Sequence, residues 1–470
     1  MEFIKQNKLL SFFLLADFLA VILSFIFQDP VIADSMEHVR ASWLVSLGDV
    51  PYRDFFEHHH PLLWYTFAPI INILPHNAVL SLYVARFCAF IVSVITILIL
   101  YRIIKDFGTK EMNFYYFLIL FFLAYPCVYS FSSFKPDAFA RLFYFWGLYS
   151  FFVYIKEQKT RQLVYCFCTF FISFLFLQIF AFDILPLIIP ALIVFYKNPK
   201  FYRDVCIALL LPLTIGVLIF YFMLTNNIWT SYFEMNWLFN KEFVSLLFAD
   251  RISVMWSWSV IFMVAFGIMM YQLRQSQTIY FKILCFLFVT ELLQHIIFKT
   301  IYPHYLVMPL IFAALIVAPL LQQFWHTPAA GFFKVMKFLL LITEFIIIAV
   351  YNNISYMQTY RKINSSADNQ IINITYYWLN IYAPKINFYT LVPQRLAIVD
   401  NYLFNRFPEY DINKLVQERK IKYIDYAQEH FRQNPLYQGR FKLSERTLRN
   451  YREIRAGLYQ RRDILPKIDD

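Results

Sequence analysis

The chain has 470 residues, of which 60% are hydrophobic, 21% aromatic and only 16% charged. Soluble domains are about 45–50% apolar and about 25% charged, so the composition excludes an ordinary water-soluble globule. The net charge is +11, but the basic residues are spread over short loops and the tail, which argues against nucleic acid as a partner and for charges that orient a membrane protein.

Repeated apolar runs near 20 residues predict a polytopic α-helical membrane protein. The first run, Leu9 to Gln28, is long for a secretory signal and has no small-residue cleavage site, so it is expected to stay as a helix. About eleven spans are expected, near 9–28, 78–101, 112–126, 137–155, 163–180, 182–196, 205–224, 252–271, 280–298, 303–321 and 335–351. One set of alternate loops carries fifteen Lys and Arg, Lys337 among them, and the other set six. The richer side is cytoplasmic, which puts the N-terminus inside and the tail outside. The expected organisation is a transmembrane domain over 1–351, with a first outer loop at 29–77, and a small extracytoplasmic α/β or α+β domain over 352–470.

The first outer loop holds the densest polar stretch, Asp34 to Tyr65. It has five acids (Asp34, Glu37, Asp49, Asp54, Glu57) and four histidines (His38, His58, His59, His60). Met36, Val39, Trp43 and Leu47 form one helical stripe, and Gly48 stops it. The stripe predicts an interfacial helix with its apolar face in lipid. Tyr52 to His60 is expected as a second short helix ended by Pro61. Pro69 and Pro75 are expected to break the following run, so that 62–75 is interfacial or re-entrant.

Later outer loops carry SSFKPDAFAR, an aromatic stretch over 225–251, and FKTIYPHYLVMP. In the first, Pro136 and Asp137 suit the start of a helix. In the tail, LAIVD and KYIDY read as strands, and EYDINKLVQERK and SERTLRNYREIRAGLYQRR as helices. The six cysteines all lie at apolar segments and none in the tail. Cys166 and Cys168 lack a metal-ligand spacing.

Asp34 directly follows the first span, where a carboxylate can take a proton from an attacking hydroxyl. It also fits a helix cap with Glu37 three residues on. Asp137 likewise suits either chemistry or a helix start. His58, His60 and Glu57 are candidates for a divalent metal, although adjacent residues do not share a helix face. Arg53, Lys135, Lys299 and His304 could converge on a phosphate, or each could be a snorkelling anchor. Asp17 and Asp183 lie inside spans, where ionisable groups are costly, and the sequence names no partner for either.

An Asp after the first span, the stretch GDVPYRDFFEHHHPL, the later KPDAFAR and the late YPHYLVMP together resemble the GT-C superfamily of membrane glycosyltransferases. The nearest groups are the protein O-mannosyltransferase-like and aminoarabinose-transferase-like families, and the resemblance covers roughly the first 320 residues. It implies a polyprenyl-phosphate sugar donor held in membrane lipid, a glycan, lipid or protein acceptor, an extracytoplasmic site in a bacterial inner membrane, and inversion at the sugar. It implies Asp34 as base and Asp137 as second acid, with Glu57 a further catalytic candidate. Arg53, His59, Lys299, Tyr302, His304 and Tyr305 are the candidates for donor binding. No cofactor follows from it. Two departures stand out: Asp34-Ser35 replaces the common Asp-Glu, and His59-His60-Pro61-Leu62 replaces a Lys-Pro-Pro-Leu that would supply a phosphate-binding lysine. The competing classes are a transporter or flippase of lipid-linked sugars, disfavoured by few glycines and no repeat, and a non-catalytic assembly protein.

Overall fold

The computed structural model describes residues 8–27, 33–55, 57–75, 78–108, 114–131, 133–274, 278–297, 303–325, 327–328, 330–351, 371–373, 423–425, 448–455 and 458–462. The helices in chain order are α1 (Lys8–Phe27), α2 (Ala33–Ser46), α3 (Leu62–Ile73), α4 (Ala78–Phe107), α5 (Phe114–Phe121), α6 (Tyr125–Ser130), α7 (Pro136–Glu157) and α8 (Thr160–Phe176). They continue with α9 (Phe180–Ile184), α10 (Ile188–Phe195), α11 (Pro199–Thr225), α12 (Trp229–Phe233), α13 (Phe239–Leu273), α14 (Ile279–Ile297), α15 (Val307–Phe324) and α16 (Ala330–Tyr351). Four short strands follow: β1 (Ile371–Asn373), β2 (Tyr423–Asp425), β3 (Tyr451–Arg455) and β4 (Leu458–Arg461).

Among the described residues, five helices are long and apolar enough to cross a membrane: Lys8–Phe25, Leu80–Phe107, Pro136–Glu157, Pro199–Thr225 and His304–Phe324. The chain is a mostly helical, polytopic membrane protein. By packing it divides into two units, one of Met1–Pro30, His58–Leu63 and Val84–Asn353, the other of Val31–Glu57, Trp64–Tyr83 and Ile354–Asp470.

In the first unit α7 packs against α8, and α8 against α11. The approach of α7 to α8 depends on Gly147, where an added Cβ would lie 2.5 Å from the Phe170 ring. Small residues at such a crossing let helices touch where lipid supplies no hydrophobic drive between them. Asp204 on α11 is fully buried, and its carboxylate accepts from Tyr154 (3.1 Å) and Thr160 (3.0 Å), fixing the α7–α8 turn. Gln158 makes that turn with a left-handed φ of 49°. In the most apolar 18-residue window of His304–Phe324 72% of the residues are buried, against 11% in that of Pro199–Thr225, so α15 is a central helix and α11 a peripheral one. On the opposite side α16 packs on α1.

The α1–α16 contact contains the partner that the sequence withheld from Asp17. Lys337 reaches Asp17 Oδ1 at 2.5 Å and the Phe122 carbonyl at 3.0 Å, with both side chains no more than 1% exposed. Lys337 was counted among the loop charges; it lies instead inside α16, because a buried carboxylate one helix away compensates it. The charge bias survives its removal.

In the second unit Trp64 is fully buried and donates to His38 Nδ1 at 3.2 Å, with Tyr52 and Phe55 packed around the indole. The strands form one sheet in the order β1-β2-β4-β3, with β1–β2 parallel and the other pairs antiparallel.

Several expectations need correcting. α2 forms with the expected stripe and Gly48 ends it at φ 95°. Its apolar face is not in lipid, however: Met36, Val39 and Trp43 are buried, and so are Ser35, Glu37, His38, Arg40 and Ser42. A helix covered all round is a core element. Tyr52 to His60 is not a helix. Tyr52 takes φ 68°, Pro51 bridges to Phe55, and residues 57–60 are irregular. Pro69 sits inside α3 without breaking it, and α3 ends just before Pro75. The run 112–126 yields only the eight-residue α5 before a turn and α6. In the tail KYIDY does form β2. SERTLRNYREIRAGLYQRR is mainly the β3–β4 hairpin and not a helix: Tyr451, Glu453 and Arg455 pair across to Arg461, Tyr459 and Leu458. LAIVD and EYDINKLVQERK lie outside the described residues.

Candidate active site

The site is built from four elements of the first unit. Lys135 is extended (φ −137°, ψ 153°), Pro136 opens α7, and Asp137 falls in its first turn. The missing N–H of proline costs nothing at that position, and the helix dipole favours an acid there. Arg141 follows at i+4 and shares a face with Asp137. The helix α9 supplies Asp183. The helix α14 supplies Glu291, Gln294 and His295, and the 3-10 turn Pro303–Leu306 supplies His304 and Tyr305. Apart from Lys135, these polar side chains, with Ile179, Phe180 and Met308, line a cavity of about 30 Å³.

The charges are buried. Lys135, Asp137, Arg141, Asp183 and Glu291 are each 1–7% exposed. Lys135 donates to His304 Nδ1 at 3.2 Å, which leaves the neutral His304 its proton on Nε2. Asp137 lines the cavity with Arg141 and His304. The buried cations Lys135 and Arg141 in a low-dielectric pocket are an arrangement that attracts an anion. Asp183 and Glu291, both buried, line this cavity together. His295 Nδ1 lies 2.7 Å from the Glu291 carbonyl and Nε2 3.0 Å from the Tyr305 carbonyl; carbonyls only accept, so a neutral ring donates to one of them and only the imidazolium donates to both.

The histidine run is anchored here too. The His58 carbonyl accepts from Gln178 (3.1 Å) and Asn240 (2.8 Å). His60 is buried, with Nδ1 against the Phe174 carbonyl and Nε2 against the Tyr232 hydroxyl, each at 2.7 Å. A carbonyl only accepts, so Nδ1 carries the proton, Tyr232 donates to Nε2, and the ring is neutral. Burial holds its pKa down at about 4. With both nitrogens engaged, His60 is not available as a metal ligand. His58 and His59 bring a ring nitrogen each within 4.8 Å of one another.

The other expected residues fall as follows. Glu57 is buried in the second unit, its carboxylate within 4.8 Å of that of Glu37. Arg53 is exposed and paired with Asp54 at 2.8 Å. The Arg53 guanidinium holds the Asp54 carboxyl below its usual range. Asp34 is the second residue of α2; its side chain, like Lys299 and Tyr302, lies outside the described residues. Sequence reasoning missed Arg141 and Glu291. The signals were present: Arg141 follows Asp137 by one turn, and Glu291 is an acid inside an apolar run.

Residues 59–229 match the family model described as dolichyl-phosphate-mannose-protein mannosyltransferase. No curated protein matches the chain. The matched span takes in His59, His60, Asp137, Arg141 and Asp183. With the apolar helices, this match supports a membrane glycosyltransferase of the GT-C type.

Proposed function

We propose that the protein moves a sugar from a polyprenyl-phosphate donor to an acceptor hydroxyl on the extracytoplasmic side, with inversion at the anomeric carbon. The observation that carries this reading is the buried Asp137 among Lys135, Arg141 and His304. A sugar on a lipid phosphate already has its leaving group, so the protein has to hold the phosphate, exclude water and accept the proton of the attacking hydroxyl. Lys135, Arg141, His304 and His59 bind the phosphate and stabilise the charge that grows on it. A carboxylate on the face of the sugar away from the phosphate takes the proton; Asp34 holds the position that the resemblance assigns to the base, with Asp137 as the second acid. The donor's tail explains why the site belongs to a membrane-spanning protein. The same reading puts the N-terminus in the cytoplasm and the tail outside, with about eleven spans.

The test is sugar transfer in proteoliposomes from polyprenyl-phosphate sugars, comparing wild type with Asp34→Asn and Asp137→Asn. Asn fits a helix start nearly as well as Asp but takes no proton at neutral pH. Loss of a positioned base costs about 10²–10⁴ in turnover, with donor binding kept. Near-normal turnover in both variants would end the assignment of the base.

A further inference from the structure

We infer that Glu291 selects the transferred sugar: its Oε1 accepts a hydrogen bond from one ring hydroxyl of the donor, which enters the cavity that Glu291 lines. This rests on the transferase reading above, with the phosphate held by Lys135, Arg141 and His304. Glu291 lies inside α14 and is 1% exposed. It lines the cavity with Asp137, Arg141, Asp183 and His304. Its Oε1 is buried and has no hydrogen-bond partner among the described residues. Nearly all buried polar groups are hydrogen-bonded, and one left without a partner is costly. A ligand that brings its own O–H removes that cost when it binds. None of the described neighbours does so. Gln294, one turn along, donates to the Phe182 carbonyl at 2.5 Å. The ring nitrogens of His295 face backbone carbonyls. Asp137 and Asp183 add further carboxyl oxygens to the same cavity.

The polar groups sort the two halves of the donor head. Lys135 and Arg141 are donors only, which suits a phosphate diester, whose oxygens accept and carry no proton at neutral pH. Those oxygens gain nothing from Glu291 Oε1, which needs a donor. A sugar hydroxyl is such a donor. The anomeric carbon is bonded to a phosphate oxygen, so a phosphate held by Arg141 and His304 brings the sugar ring to the cavity that these residues share with Glu291. Size then decides what enters. A cavity of about 30 Å³ takes a water-sized group, so a single hydroxyl fits and a sugar ring does not. The cavity therefore selects one substituent of the ring. A hydroxyl satisfies Oε1, and a hydrogen in its place leaves Oε1 unpaired. Sites built to hydrogen-bond a substrate hydroxyl reject the analogue that lacks it far more strongly than shape alone allows.

The test uses full-length protein in proteoliposomes and a panel of polyprenyl-phosphate hexoses and pentoses. The sugar that is transferred is then compared with analogues in which one ring hydroxyl at a time is replaced by hydrogen. In wild type the loss of one particular hydroxyl should lower kcat/KM about a hundredfold or more. Glu291→Met, which has no acceptor oxygen, should use the parent sugar and that analogue equally well. Glu291→Gln, which keeps an acceptor oxygen and the shape, should retain the preference. A loss of packing alone would slow all donors alike and leave the preference in place. Equal use of every analogue by wild type overturns the inference without any variant. So does a preference that Glu291→Met keeps in full, since Oε1 then holds only a resident water. A wild type that transfers no sugar from the panel overturns the inference together with the transferase reading.

Discussion

Lys337→Met leaves Asp17 without its cation inside the bundle. The pair is 0% and 1% exposed with Nζ 2.5 Å from Oδ1, and Asp17 Oδ2 has no other partner among the described residues. Removing one member of a buried pair costs about 3–5 kcal/mol. An independent bound agrees. The stranded carboxylate can escape by binding a proton, which from an ordinary carboxyl pKa of about 3.9 costs about 4 kcal/mol at pH 7 and about 1.5 at pH 5. Lys337→Met should therefore be strongly destabilised at pH 7 and much less so at pH 5. Asp17→Leu should show the opposite trend, easing as pH rises, because its stranded group is an ammonium. The double variant Asp17→Leu with Lys337→Met should lie within about 1 kcal/mol of wild type, since apolar replacement of a buried pair is often neutral. Denaturant unfolding in mixed micelles at both pH values measures all three. A Lys337→Met loss under about 1 kcal/mol, or one that does not change with pH, would refute the account.

His60 is neutral and buried with a pKa of about 4 against 6.5 for the free side chain. The unfolded chain binds the proton first, so stability should fall by up to about 3 kcal/mol as pH drops from 6.5 to 4. Unfolding of wild type against His60→Phe across that window checks this, and an unchanged pH dependence in the variant would count against it. Gly147→Ala pushes a methyl into the Phe170 ring and should cost about 1–3 kcal/mol, read as a lower midpoint of thermal unfolding with the α7–α8 contact as the only change. Arg53→Ala removes an exposed pair worth at most about 1 kcal/mol, and donor affinity should stay at the wild-type value; a tenfold loss would return Arg53 to the phosphate site. Leu47→Cys, exposed at the end of α2, should react with a membrane-impermeant thiol reagent from the extracytoplasmic side only.

The sequence by itself determined what depends on local and one-dimensional physics. Runs of apolar residues dictate helices in lipid because every backbone polar group must pair within its own segment. The stripe from Met36 to Trp43 made α2 a helix, Gly48 ended it, and Lys135-Pro136-Asp137 marked the start of α7. Asp137 and His304 were legible as site residues because charged groups at the ends of apolar runs are few. Tertiary structure decided what depends on residues far apart in the chain. Asp17 meets Lys337 across 320 positions, and Asp183 and Glu291, 108 positions apart, line one cavity; no periodicity links either pair. The same holds for α2, whose stripe looks suited to lipid until protein covers its polar face as well. Arg53 shows the converse: its charge fitted a phosphate site, but the turn at Pro51–Phe55 places Asp54 beside it, and a neighbour in contact outweighs a distant candidate.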